Sequence, residues 1–243
     1  MANIDYTKAY RDHVNELGTK LSHDDALREA IGSNFVAIGK LEYHLLRSLG
    51  LIDGQLVVDV GCGSGRLAVQ LAPWEKIRYL GCDIVPELLE YARGLCKRPD
   101  WNFVITDGVR IPSPDRSADF TVFFSVFTHL LHEDTFRYFR ESARVLKPGG
   151  LMVISFLEFK VQNHWNIFID SVENGKSGQH LNQFIDREGI RSWADHSGFE
   201  VESIRSGDVF HIPIPEEIQF DNGDKQGCLG TFGQSVAVLK RKG

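Results

Sequence analysis

Residues 56–66 read LVVDVGCGSGR, an apolar run followed by three glycines at alternate positions. The run has the composition of a strand that is buried on both faces, as in a parallel sheet. Gly61, Gly63 and Gly65 permit positive φ and allow a ligand to approach the backbone closely. Good helix formers follow directly from Leu67. The stretch therefore predicts a buried strand, a tight loop and a helix N-terminus.

Two common nucleotide-binding loops do not fit the spacing of these glycines. The dinucleotide fingerprint is G-x-G-x-x-G, and this chain has Arg66 where the third glycine belongs. A phosphate-binding P-loop needs Gly-Lys followed by Ser or Thr, which neither Gly63-Ser64 nor Gly65-Arg66 supplies. Both phosphate-binding interpretations are disfavoured, which leaves an adenosine-containing cofactor of another kind.

Asp59 and the G-x-G-x-G that follows it resemble motif I of the class I methyltransferases that depend on S-adenosyl-L-methionine (SAM). Further along, residues 144–156 (RVLKPGGLMVISF) look like the helix end, Pro-Gly-Gly turn and fifth strand of the same family. The resemblance implies an α/β fold with a doubly wound, seven-stranded, mostly parallel sheet and an antiparallel C-terminal hairpin. It also implies methyl transfer, with SAM as cofactor and S-adenosyl-L-homocysteine (SAH) as product.

A second apolar run, IRYLGCD at residues 77–83, ends in an acidic residue. A doubly wound sheet places a carboxylate at the end of its second strand, where it accepts hydrogen bonds from ribose hydroxyls. Asp83 suits this role because one carboxylate accepts from both hydroxyls and charge-assisted bonds are strong. The alternative is a helix cap ahead of Pro86. The preceding glycine loop favours the ribose role.

The family resemblance supplies the remaining cofactor contacts. In the family, an acidic residue after the third strand contacts the adenine amino group, and Asp107 with Gly108 matches that place. The residue at the end of the fourth strand, here Ser125, is assigned to the methionine end of SAM. The cofactor-binding residues that the resemblance implies are Asp59, Gly61, Cys62, Gly63, Gly65, Asp83, Ile84, Asp107, Gly108 and Ser125.

A general base is needed only when the methyl acceptor must lose a proton. The catalytic candidates are His129 and His132 in SVFTHLLHEDTF, residues 125–136, because histidine accepts a proton near neutral pH. The alternative for His129 is a packed residue after the fourth strand, and for His132 a contact that caps a helix. Glu158 and His164 are further candidates.

We expect one methyltransferase domain over residues 1–243. Its predicted parts are an N-terminal helical cap (1–50), a SAM-binding core (51–157), an inserted lid (158–185), and a last helix with the C-terminal hairpin (186–243). Apolar residues at spacings of three and four predict one continuous apolar face between residues 27 and 49. The lid is expected to hold a helix near residues 164–172, because so long a connection folds locally or covers a site.

Two further segments carry predictions. Tyr6 and Tyr10 share a face of the first helix, where they either pack against the core or touch the cofactor. The chain is expected to run irregularly from residue 207 to residue 234, between a sixth strand at 198–205 and a seventh at 235–241.

The composition of the chain argues against several classes of binding partner. A net charge of -6 and a pI near 5.8 argue against a general nucleic-acid surface, which depends on clustered Lys and Arg. No apolar stretch approaches ~18 residues and the N-terminus is polar, so neither a membrane span nor a secretory signal is expected. The four cysteines show no C-x-x-C spacing, which predicts reduced thiols in the cytoplasm and no metal site. The sequence does not determine the oligomeric state.

The end of the fourth strand bears on the acceptor. Methyltransferases that act on exocyclic base amines or glutamine amides carry an Asn- or Asp-Pro-Pro-aromatic motif there, whereas this chain has Phe-Ser-Val-Phe at residues 124–127. We therefore expect a small-molecule acceptor, with neither nucleic acid nor membrane as a partner. Two other functions stay open: a SAM-binding protein without transferase activity, and a Rossmann-type oxidoreductase that uses NAD.

Overall fold

The computed structural model describes residues 6–106, 108–175 and 181–243. Its strands are β1 (Leu56–Val60), β2 (Arg78–Asp83), β3 (Asn102–Ile105), β4 (Ala118–Phe123), β5 (Leu146–Phe156), β6 (Phe199–Arg205), β7 (Ile212–Gln219), β8 (Lys225–Gly230) and β9 (Ser235–Arg241). The main sheet has the order β3-β2-β1-β4-β5-β9-β6, with β1 to β5 parallel. β9 runs antiparallel to both β5 and β6. The predicted seven-stranded sheet with an antiparallel C-terminal hairpin is confirmed.

Helices cover both faces of this sheet. They are α1 (Tyr6–Gly18), α2 (His23–Glu29), α3 (Phe35–Ser48), α4 (Arg66–Leu71), α5 (Pro86–Cys96), α6 (His132–Val145), α7 (Gln162–Asn174) and α8 (Arg187–Ser197). α3, α4 and α5 pack on one face, and α6 and α8 pack on the other. Val57 and Val58 of β1 are both fully buried but contribute to opposite faces, because successive strand residues point to opposite sides. The fold is therefore doubly wound α/β, as predicted.

The stretch from residue 207 to residue 234 is not irregular, and that prediction was wrong. β7 and β8 pair there as a separate antiparallel hairpin, which packs against α3. One side of β7 packs into the core through three buried isoleucines, Ile212, Ile214 and Ile218. Pro213 and Pro215 made this segment look unlike a strand in the sequence. Proline cannot donate a hydrogen bond to a neighbouring strand, and within sheets it is confined to edge strands or bulges.

The N-terminal cap consists of three helices and lacks the predicted continuous apolar face. α2 ends at Glu29, and Gly32 adopts a φ of +96° in the turn before α3. As a result, Leu27 packs in a small cluster with Val85 and Leu88, whereas α3 joins the main core. No helix within the described ranges is long and apolar enough to cross a membrane.

Candidate active site

A cavity of about 1210 Å³ lies at the carboxyl ends of the central strands. It opens beside β1 and β4, where the strand order reverses from β3-β2-β1 to β4-β5. Ligands of open α/β sheets bind in the crevice at this switch point. Most of the predicted cofactor-binding residues line the cavity: Asp59, Gly61, Cys62, Gly63, Asp83, Ile84, Gly108 and Ser125.

Gly61 and Gly63 occupy positions in the loop that admit no side chain. Their φ angles are +72° and +54°, in the region that favours glycine. A Cβ on Gly61 would lie 2.4 Å from Val126 Cγ2, and a Cβ on Gly63 would lie 2.4 Å from Ile31 Cγ2. The loop therefore offers bare backbone to the cavity, as a closely approaching ligand requires.

Gly65, the third glycine of the motif, does not line the cavity. It precedes α4 with a φ of +86°, and a Cβ there would lie 2.8 Å from Ala92 Cβ on α5. The geometry gives Gly65 a packing role between two helices, and its contact with the cofactor stays a prediction.

Asp83 ends β2, and two backbone amides hold its carboxylate. Gly63 N donates to Oδ2 at 2.8 Å, and Val85 N donates to Oδ1 at 2.9 Å. Burial raises the pKa of Asp83, while the amides of Val85, Gly63 and Ile84 lower it. The carboxylate thus caps the turn before α5, as the alternative prediction had it, and also lines the cavity. Its oxygens retain further lone pairs for a ligand.

Asp59 is buried near the end of β1, next to the glycine loop. Tyr79 donates its hydroxyl to Asp59 Oδ2 at 2.6 Å. Burial raises the pKa of Asp59 to about 7, although the hydrogen bond from Tyr79 opposes this shift. The carboxyl group therefore changes its charge near neutral pH.

The end of β3 and helix α6 form another part of the wall. Thr106, Gly108 and Tyr138 line the cavity, and the Tyr138 hydroxyl donates to the Gly108 carbonyl oxygen at 3.3 Å. Asp107, the predicted adenine contact, lies outside the described residues. The predicted adenine side of the cavity is thus bordered by a strand end and a helix.

Ser125 follows β4 with a φ of +59°, a strained conformation for a residue with a side chain. Its amide donates to Ser155 Oγ at 2.7 Å, and Gln234 Nε2 donates to its hydroxyl at 3.0 Å. Ser155 in turn donates to Gln234 Oε1 at 2.6 Å. Gln234 lines the cavity but was not predicted, because it precedes β9 without any local motif.

A buried ion pair in the cavity wall was also missed. Arg66 Nε donates to Glu42 Oε1 at 2.7 Å, and Arg66 Nη1 donates to the Ile31 carbonyl oxygen at 3.0 Å. Burial raises the pKa of Glu42, and Arg66 lowers it. Two signals for this pair existed in the sequence: a Glu within an apolar helical stretch, and an Arg at a helix N-terminus, where the dipole disfavours a cation.

Of the two histidines predicted as catalytic, His129 lines the cavity and His132 does not. His129 Nδ1 donates to the Leu181 carbonyl oxygen at 2.8 Å, which makes Nε2 the acceptor nitrogen of the neutral ring. Burial lowers the pKa of His129 and so favours this neutral form. His132 begins α6 and directs Nε2 to the Phe184 carbonyl oxygen, 3.0 Å away. The geometry therefore does not support His132 as a base.

Glu158 and His164 are engaged in structural contacts. Arg187 donates twice to the Glu158 carboxylate, at 2.6 and 2.9 Å, and Ser235 donates to it as well. His164 accepts from Glu158 N at Nδ1 and donates from Nε2 to Gly233 O. α7 confirms the helix predicted near residues 164–172, but no described residue of the segment 158–185 lines the cavity. Its role as a lid stays a prediction.

Helix α1 contributes to the cavity wall through both predicted tyrosines. Tyr6 donates to Asp134 Oδ2 at 2.9 Å and accepts from Leu131 N at 3.2 Å. Tyr10 packs edge-to-face on His129, with ring centroids 5.6 Å apart. The two side chains therefore pack against the core and face the cavity at the same time.

All four cysteines carry free thiols. Cys62 lines the cavity, and burial raises its thiol pKa well above the ordinary value, which makes it a poor nucleophile. Within the part of the chain that the structure describes, no group of three or more His, Cys, Asp or Glu side chains is placed to hold a metal ion.

The strand order, with helices on both faces of the sheet, gives this chain the fold of the class I, SAM-dependent methyltransferases. Residues 58–154 match the family model described as a methyltransferase domain. The magnesium protoporphyrin IX methyltransferase of Synechocystis, solved with bound SAH, has the same fold: the TM-score is 0.60 at 16% identity, over 86% of each chain.

Relatives with named activities differ in their acceptors. The 27-O-demethylrifamycin SV methyltransferase of Amycolatopsis mediterranei is 26% identical over 150 residues, which cover 60% of this chain and 54% of the relative. Probable tRNA methyltransferase 9B of Bos taurus is 29% identical over 138 residues, which cover 52% of this chain and 29% of the relative. The chain thus spans about half, or less, of the length of these relatives.

Proposed function

We propose that this protein transfers the methyl group of SAM to a small-molecule acceptor. The observation that carries the proposal is the Asp83 carboxylate, bound to the amide of Gly63 beside the reversal of strand order. This arrangement joins bare loop backbone to a group that can accept hydrogen bonds from two hydroxyls. Such a pairing suits the nucleoside of SAM.

The residues in the cavity wall fit SAM better than a dinucleotide. A dinucleotide places its pyrophosphate at a helix N-terminus, beside a third glycine. Here Arg66 begins α4, and its side chain is buried against Glu42 and the carbonyl oxygen of Ile31.

We assign roles to the cavity residues on this basis. The backbone of residues 61–63 cradles the cofactor, and Asp83 holds its ribose. Gly108 borders the adenine, while Asp59 and Ser125 lie toward the methionine end. These roles are supported by the position of each residue in the wall of a single cavity.

When bound, SAM supplies a methyl group on a positively charged sulfur; an acceptor lone pair bonds to that carbon as the carbon–sulfur bond breaks, leaving SAH. The task of the chain is to align the acceptor and to exclude water. Tyr6, Tyr10 and Glu29 serve the second purpose by adding α1 and α2 to the wall. For an acceptor that loses a proton, we propose His129 as the base, because burial lowers its pKa and keeps it neutral.

The charge of the cavity supports a small acceptor over an RNA. Among the described residues, the wall contains six acidic side chains and two side chains of Arg or Lys: Glu29, Glu42, Asp59, Asp83, Glu133 and Asp134 against Arg66 and Arg137. The net charge of the whole chain is -6. Both features favour a cationic cofactor and oppose the phosphate backbone of RNA.

The test is transfer of a labelled methyl group from SAM. The purified protein is incubated with labelled SAM and either the small-molecule fraction or the RNA fraction of a cell extract. Label in a small molecule, released together with SAH and abolished by Asp83→Ala, is the expected result. SAH binding without label in any small molecule would contradict the acceptor class. A failure to bind SAH or SAM would contradict the cofactor.

A further inference from the structure

A smaller side chamber adjoins the main cavity. Its volume is about 290 Å³, just below the range of about 300 to 1,000 Å³ for small-molecule sites. The two spaces share Arg66, Ser125 and Gln234 in their walls, so they lie next to each other. Ser155 and Phe232 line the side chamber alone.

The strand order decides which ligand the side chamber receives. Asp83, the proposed ribose contact, ends β2, whereas Ser125 follows β4 and Ser155 belongs to β5. β1 separates β2 from β4 in the sheet. A cofactor with its nucleoside over β2 and β3 therefore points its other end toward β4. The side chamber, beyond that end, is where an acceptor would meet the methyl group.

The described wall of the side chamber carries no net charge. Its charged residues are Glu42 and Arg66, which are joined at 2.7 Å. Arg66 already donates from Nε to Glu42 and from Nη1 to Ile31. A charged acceptor would have to compete with this pair or be buried without a partner, and an unpaired buried charge is costly. The side chamber therefore favours an uncharged ligand.

Neutral polar groups in the wall have hydrogen-bonding capacity to spare. Ser125, Ser155 and Gln234 form a closed ring of three hydrogen bonds. In this ring the Gln234 amide uses one of its two N–H donors, and Ser125 accepts through its oxygen but keeps its own O–H. A hydroxyl or amide on the ligand could bond to these remaining groups. The ring also holds the side chains of Ser125 and Gln234 in place before a ligand binds.

Aromatic rings supply the apolar part of the wall. Phe124 and Phe232 pack edge-to-face with their centroids 5.7 Å apart, and both line the side chamber. We propose that the side chamber is the acceptor site and that it selects a compact, uncharged molecule whose hydroxyl or amide group binds Gln234 and Ser125. The inference rests on the proposed function and adds the chemical class of the acceptor.

The test uses small ring compounds that differ in one substituent. Benzyl alcohol and benzamide are neutral and polar, benzoate and benzylamine are charged, and toluene is apolar. Their dissociation constants are measured by NMR on protein saturated with SAH, after calorimetry has established that SAH binds. The two neutral polar compounds are expected to bind about threefold to tenfold more tightly than the other three, since one hydrogen bond is at stake.

Two variants link this preference to Gln234. Gln234→Met has a similar shape without the amide and should bind benzyl alcohol no better than toluene. Gln234→Glu adds a negative charge and should bind benzylamine more tightly than benzyl alcohol, which keeps the test valid should the Met variant not fold. Gln219→Met, on the exposed side of β7, is the control and should behave as the parent protein.

Several results would overturn the inference. One is SAH binding together with equal affinity for charged and neutral compounds, or with none of the five binding. Another is an unchanged preference in a folded Gln234→Met variant. These outcomes leave the proposed cofactor intact, whereas a failure to bind SAH at the first step removes the proposed function and the inference together.

Discussion

The carboxylate of Asp83 accepts a hydrogen bond from the backbone amide of Gly63 at 2.8 Å. The bond ties the end of β2 to the glycine loop, which lies 20 residues earlier in the chain. Since the same carboxylate also accepts from Val85 N and lines the cavity, one group shapes the loop and faces the ligand. Removal of this carboxylate should therefore weaken cofactor binding.

Asp83→Ala is expected to weaken SAH binding by about 1.5 to 3 kcal/mol, because charge-assisted bonds to the ribose are lost. Calorimetric titration with SAH measures this change. Asp195→Ala removes an exposed carboxylate on α8 and should leave the dissociation constant unchanged. An unaltered affinity in a folded Asp83→Ala protein would rule out the ribose contact.

Gly63→Ala is expected to destabilise the protein more than Gly54→Ala does. Both glycines have positive φ, but a Cβ on Gly54 meets nothing within 4 Å, whereas a Cβ on Gly63 collides with Ile31. Gly54→Ala should therefore lose only the left-handed strain, about 1 to 2 kcal/mol. Urea unfolding compares the two variants.

Ile31→Ala tests the cause of that difference. Combined with Gly63→Ala, it should restore part of the lost stability because the colliding methyl group is gone. Equal losses in Gly63→Ala and Gly54→Ala would mean that Ile31 does not press on the loop.

The buried pair of Glu42 and Arg66 should show strong coupling. Arg66→Met leaves the Glu42 carboxylate buried without its partner and is expected to lower the free energy of unfolding by about 3 to 5 kcal/mol. The double variant Glu42→Leu, Arg66→Met should recover much of that loss. Urea unfolding of the two single variants and the double variant gives the coupling energy.

An exposed ion pair provides the comparison. Arg191→Met breaks a contact to Glu188 on the surface of α8 and should change stability by less than about 1 kcal/mol. Strictly additive losses at Glu42 and Arg66 would contradict the predicted coupling.

The raised pKa of Asp59 leads to a prediction about how the stability of the protein depends on pH. Burial raises its pKa from 3.8 to about 7 in the folded protein, so the protonated form is favoured on folding. This contribution is fully present below the unfolded pKa and is lost as pH rises through the folded pKa. Asp59→Asn stays neutral and keeps an oxygen that accepts from Tyr79. The variant should therefore gain stability relative to the parent between ~pH 5 and ~pH 8, by roughly 1 to 3 kcal/mol.

Denaturant unfolding of both proteins across this range is the measurement. A stability difference that does not change with pH would show that Asp59 titrates normally.

The parallel core was predictable because its signals are local. Each of the first strands is a short apolar run that ends in a residue suited to a turn or a ligand, as Val60 precedes Gly61 and Cys82 precedes Asp83. β7 was missed for an equally local reason. Pro213 and Pro215 argue against a strand, although the isoleucines beside them are buried.

The site was only partly predictable, because much of it forms between distant segments. Gly61, Gly63 and Asp83 follow from spacing along the chain. Gln234, just before β9, and Glu42, on α3, line the same cavity, and no local sequence pattern shows that these two segments meet there. The motif spacing also does not show that Gly65, unlike Gly61 and Gly63, packs against α5.

A crystal structure of the protein with SAH tests the central claim most directly. The adenosine should lie over the ends of β2 and β3, with both ribose hydroxyls within hydrogen-bond distance of the Asp83 carboxylate. The homocysteine end should point toward Ser125. A nucleoside bound elsewhere, or a ribose that makes no contact with Asp83, would contradict the proposed cofactor site.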